Sequence, residues 1–104
     1  MKVKRFSKMK VTKKIQKKLT KAIEYLKSIG CKEIILFGSL ADGTFNEYSD
    51  IDIAISGLSP DKFFEAVVDL PSIVGHKVDL IPLDYASEDL ETKIRTEGEL
   101  LFAA

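Results

Sequence analysis

Asp50 and Asp52 flank a single residue in the run Asp50-Ile51-Asp52-Ile53-Ala54-Ile55. Such alternation describes a strand with one buried face, and residues i and i+2 of a strand project to the same side. Ile51, Ile53 and Ile55 then enter the core while the two carboxylates stand together. Carboxylates this close repel, and their pKa values rise unless a cation lies between them. A hard divalent cation meets that need. Mg²⁺ typically takes one or two carboxylates and completes its shell with water and phosphate oxygens. Asp79 repeats the pattern in Lys77-Val78-Asp79-Leu80-Ile81. A carboxylate among apolar strand residues needs a partner. If that strand lies beside the first, Asp50, Asp52 and Asp79 can hold two metal ions, one activating an attacking oxygen and one stabilising the leaving oxygen.

Gly38-Ser39 supplies a complementary feature. It directly follows the apolar run Glu33-Ile34-Ile35-Leu36-Phe37. Gly38 lets backbone approach a ligand closely, and Ser39 can open a short helix whose free N–H groups face a phosphate. A triphosphate could lie with its outer groups at Gly38-Ser39 and its α-phosphorus at the carboxylates. A P-loop is excluded. Gly38 and Gly43 have the right spacing, but Thr44 stands where that motif requires lysine. No Gly-x-Gly occurs, so a dinucleotide fingerprint is absent as well.

The elements that must position these residues follow from periodicity. Val11, Ile15, Leu19, Ala22, Ile23, Leu26 and Ile29 mark an amphipathic helix over 11–29, with Gly30 as its stop. Strands are expected at 33–37, 50–55 and 77–81. Ser59-Pro60 opens a helix over 60–70 with Phe63, Phe64, Val67 and Val68 inward and Pro71 as its end. Ser87 caps a last helix at 87–96 with Leu90 and Ile94 buried, Gly98 breaks it, and Leu100-Leu101-Phe102 forms a short terminal strand. Alternating helices and strands make this an α/β (α+β) domain with a central sheet flanked by helices. The connection over residues 38–49 is too short for a full parallel crossover, so a mixed sheet is expected.

At 104 residues and 45% hydrophobic composition, the chain fits a single domain over 1–104, with residues 1–10 as a loose basic tail. A domain this small leaves room for a homo- or hetero-oligomeric partner to complete a binding surface. Formal charge is zero, but residues 1–27 carry eleven basic residues and one acid, leaving five basic and fifteen acidic residues beyond them. That segment has no aromatic interleaving and no base-reading motif, so it reads as a solvated lysine face rather than a nucleic-acid site. One cysteine, Cys31, excludes an intrachain disulfide framework. No apolar run spans a bilayer and no signal peptide is evident, so a cytoplasmic protein is expected.

Gly38-Ser39, ten residues, then Asp50-x-Asp52 resembles the signature of the DNA polymerase β-like nucleotidyltransferase superfamily. The short length is similar to its minimal nucleotidyltransferases, the antitoxin partners of HEPN-domain toxins. The resemblance covers nearly the whole chain. It implies Asp50 and Asp52 as metal ligands, Asp79 as the third carboxylate that also helps activate the acceptor hydroxyl, and Gly38 and Ser39 as nucleotide-phosphate contacts. It implies ATP as substrate, two Mg²⁺ ions, and transfer of AMP to a hydroxyl of the HEPN toxin. One departure stands out. Many relatives have arginine directly after Gly-Ser, and here the residue is Leu40. Lys77 or a partner residue could supply the missing cation. An alternative is an antitoxin that masks its toxin by contact, with a weak or vestigial site. His76, the only histidine, reads as a surface residue, and Tyr48 as a packing residue or a platform for a base.

Overall fold

The computed structural model describes residues 12–43, 45–46 and 48–104. The basic tail at 1–10 and Val11 lie outside them. Helix α1 (Lys13–Ser28) begins where Thr12, in an extended conformation, accepts the Ile15 N–H on its hydroxyl at 3.2 Å. This cap satisfies one of the donors that a helix start leaves unpaired. Ile15, Leu19, Ala22, Ile23 and Leu26 form its buried stripe, as their spacing requires.

Among the described residues, four strands form one mixed sheet in the order β3-β2-β1-β4. They are β1 (Glu33–Phe37), β2 (Ile51–Ser56), β3 (Val78–Pro82) and β4 (Glu99–Ala103). β1 runs antiparallel to β2 and β4, and β2 runs parallel to β3. The short link between β1 and β2 holds only the one-turn helix α2 (Ser39–Asp42), which suits an antiparallel return. The β2–β3 connection holds α3 (Pro60–Val74), long enough for a parallel crossover. Ile34, Leu36, Ile51, Ile53, Ile55 and Leu101 pack beneath α1 and α3. On the opposite face, Ile35, Ala54, Leu83 and Ile94 form a smaller cluster under α4 (Glu88–Glu97). Cys31 is buried and hydrogen-bonded to the carbonyls of Glu33 and Ser56, and burial pushes its thiol up to about 11. It is therefore an inert core thiol.

Three expectations need correction. α3 continues through Pro71 to Val74 and stops at Gly75, whose left-handed conformation (φ +68°) lets its N–H bond the Pro71 carbonyl at 2.9 Å. The gain is the burial of Val74. The buried stripe is Ala66, Leu70 and Val74 with Phe63 partly buried, so Phe64, Val67 and Val68 face outward. A stripe through 63, 66, 70 and 74 and one through 64, 67 and 68 both have helical spacing. The longer helix favours the first. On α4, Ile94 is buried as expected but Leu90 is 39% exposed.

One ion-pair cluster fixes α4 to the sheet. Arg95 donates from both terminal nitrogens to Glu33 at 2.8 and 3.0 Å, and from Nε to Glu91 at 2.8 Å. Ser56 Oγ also donates to Glu33. The Arg95 guanidinium holds the Glu33 carboxyl below the usual range. Such a depressed pKa stabilises the fold above the ordinary glutamate pKa and ceases to do so as pH falls through the depressed value. Arg95→Met should therefore cost about 1 kcal/mol near neutral pH, the upper range for a partly exposed bidentate pair. Denaturant melts of the two proteins should converge in acid.

Candidate active site

The sequence-predicted residues meet at one corner of the sheet. In the parallel β2–β3 ladder, Asp52 is the direct partner of Asp79, and across β1 it faces Phe37. Adjacent strands lie about 4.8 Å apart, so the two carboxylates leave the sheet on the same face side by side. Asp50 lies one residue ahead of β2 and shares that face by alternation. Ile51, Ile53 and Ile55, each about 1% exposed, anchor the strand from the other side. Asp50 and Asp52 are half-buried, while Asp79 is exposed on an edge strand. Asp79 is thus not enclosed among apolar neighbours, as its sequence context suggested.

Asp52 is the electrostatic centre of the group. Burial, then the charge of Asp79, then that of Asp50 push its carboxyl above the ordinary value. Among the described residues no three carboxylate, imidazole or thiol groups stand in an arrangement that could by itself hold a metal ion. The donor set is oxygen-only and open on one side. That fits a hard cation whose remaining ligands are water and phosphate. Lys77 Nζ lies 3.8 Å from Asp50 Oδ2 and is largely exposed. Lys77 therefore pairs with Asp50, not with Asp79, and sits on the carboxylate side of the site.

Gly38 joins the carboxylates to α2. It takes φ +71°, a conformation that disfavours any side chain, and a Cβ there would collide with the Asp52 carboxylate. The backbone after β1 is thus pressed directly against Asp52. Ser39 opens α2, and the first N–H groups of such a turn have no intrahelical acceptor. One turn has little macrodipole, so any anion binding there rests on these donors and the Ser39 hydroxyl. Leu40 is 3% exposed and belongs to the core, so this position points away from solvent.

His76 was underrated by its sequence context. It is half-buried, and its Nε2 lies 2.7 Å from the Ser49 carbonyl. A carbonyl only accepts, so Nε2 carries the proton and Nδ1 presents a lone pair. Lys18 of α1 donates to that Nδ1 at 3.2 Å and to the Gly75 carbonyl at 3.1 Å. The ring also packs against Phe45 at 5.8 Å between centroids. His76 thus ties α1 and the α3–β3 turn to the loop that delivers Asp50. Its polar partners lie 27 and 58 residues away, and no local signal reports them. Tyr48 is 88% exposed and packs on nothing that would justify a core role.

The family model described as "Polymerase beta, Nucleotidyltransferase" matches residues 13–104. No curated protein sequence matches the chain. Among solved structures, a toxin–antitoxin determined with AMP-PNP is 33% identical, with a TM-score of 0.72 over 82% of this chain and 73% of that one. The MntA–HepT toxin–antitoxin is 30% identical, with a TM-score of 0.67 over 86% and 73%. A tri-AMPylated Shewanella oneidensis HEPN toxin in complex with its MNT antitoxin gives 30% identity and a TM-score of 0.68 over 86% and 72%.

Two substitutions test this geometry. A raised carboxyl pKa means that folding loses stability as pH rises from the unfolded to the folded value. Asp52→Asn should therefore raise the melting temperature of the metal-free protein at neutral pH and leave it unchanged in acid. His76→Phe should cost about 1 kcal/mol in a denaturant melt through the lost Ser49 hydrogen bond.

Proposed function

The chain belongs to the polymerase beta nucleotidyltransferase family and has its fold, and on that premise we propose that it transfers AMP from ATP to a hydroxyl of a HEPN-domain toxin, for which it is the cytoplasmic antitoxin. The observation that carries the reading is the register of Asp52 with Asp79, beside Gly38-Ser39. The neighbours supply the biological context: toxin–antitoxin pairs, one of them with an AMPylated HEPN toxin and an MNT antitoxin.

The acceptor hydroxyl oxygen attacks the α-phosphorus. A new P–O bond forms to the acceptor, the bond from the α-phosphorus to the bridging oxygen breaks, and pyrophosphate leaves. Asp79, on the exposed edge, faces the acceptor and helps draw off its proton, which passes to solvent. Asp50 and Asp52, with Asp79, would hold two Mg²⁺ ions. When bound, these neutralise charge on the attacking and leaving oxygens. Gly38 and Ser39 hold the outer phosphates through backbone N–H groups and the Ser39 hydroxyl, which positions the leaving group.

One observation favours a contact-based contribution. Phe64, Val67 and Val68 form an exposed apolar strip on α3, with Phe64 at 70%. Such a strip suits protein contact, so the antitoxin could also mask its toxin without chemistry.

Incubation with labelled ATP, Mg²⁺ and the toxin encoded beside it should label the toxin. Asp50→Asn with Asp52→Asn should reduce labelling at least about a hundredfold, as expected when transition-state charge stabilisation is removed. Full neutralisation of the toxin by the unlabelling double variant would transfer the biological role to masking.

A further inference from the structure

A cavity of about 320 Å³ opens beside Gly38, on the side away from Asp79. Phe37 and Gly38 line it from the end of β1, Ala41 from α2, and Leu90, Lys93, Ile94 and Glu97 from α4. We infer that this cavity receives the pyrophosphate end of the nucleoside triphosphate, with Lys93 as the cation that binds the outer phosphates. The inference rests on the nucleotidyl-transfer reading and assigns a residue to the leaving-group side of that site.

The argument is one of order across the sheet. In-line displacement places the attacking and leaving oxygens on opposite sides of the α-phosphorus. The strands run β3-β2-β1-β4, so Asp79 on β3 marks one side of Asp52 and Gly38 at the end of β1 marks the other. An acceptor at Asp79 therefore sends pyrophosphate past Gly38, toward the space beneath α4. A departing pyrophosphate carries several negative charges and needs a cation there. Leu40 cannot supply one, because it is an apolar core residue. Lys77 cannot either, because it lies against Asp50 on the other side. Lys93 is exposed, lines the cavity and, among the described residues, makes no ion pair. The Arg95–Glu33 clamp holds its helix in place. Glu97 stands one turn beyond Lys93 at the same cavity and opposes an anion. The pair thus makes predictions of opposite sign.

Calorimetric titration of the full chain with magnesium pyrophosphate, ATP and AMP separates the alternatives. Lys93→Met should weaken pyrophosphate binding roughly tenfold, the loss of one charge-assisted contact, and should leave AMP binding unchanged. Lys93→Arg should restore pyrophosphate binding, and Glu97→Gln should tighten it. Equal pyrophosphate affinity in Lys93→Met and wild type overturns the inference while leaving nucleotidyl transfer intact. Equal losses for AMP and pyrophosphate also overturn it, because the cavity would then hold the nucleoside. A wild-type protein that binds neither ATP nor pyrophosphate would overturn the nucleotidyl-transfer reading and this inference together.

Discussion

Everything at the active corner depends on one unfavourable arrangement: Asp52 is held in parallel register with Asp79, with Asp50 on the same face. Burial first, and then the like charges of Asp79 and Asp50, disfavour the ionised Asp52 carboxylate in the metal-free fold and push its carboxyl above the ordinary value. The core holds them there. Ile51, Ile53 and Ile55 alternate with the carboxylates and are almost fully buried, and a slip of one residue would place them in water and the carboxylates in the core. Hydrophobic burial thus enforces an electrostatic strain that a cation and a nucleotide would relieve.

The surrounding features serve that arrangement. Gly38 is the residue type that lets the chain leave β1 against the Asp52 carboxylate. The single turn of α2 keeps the β1–β2 connection short enough for the antiparallel pairing that aligns Phe37 with Asp52. His76 holds the Asp50 loop from the far side. α4 packs over β1 and, through Ile94, shares a cluster with Ala54 of β2, while Asp79 at the sheet edge stays exposed and a cavity remains beside Gly38.

Strand alternation made the shared face of Asp50 and Asp52 legible, and the short β1–β2 link made the mixed sheet legible. The pairing of Asp79 with Asp52 needed strand order, which a local pattern does not encode. The inward face of α3 was misread because two apolar stripes with helical spacing overlap, and packing against α1 selects between them. His76 was invisible because both polar partners are distant in the chain. Lys93 was overlooked because one lysine on an amphipathic helix looks like any solvated residue. Only the cavity beneath α4 distinguishes it.

The central claim is that the Asp52 cluster is a cation-dependent nucleotide site. Thermal unfolding with Mg²⁺ and a non-hydrolysable ATP analogue, added singly and together, tests it most directly. In the wild-type protein the pair should raise the melting temperature by more than the sum of the separate effects, because each ligand completes the other's site. Asp52→Asn should abolish that excess. The same excess in Asp52→Asn, or none in the wild type, would contradict the account.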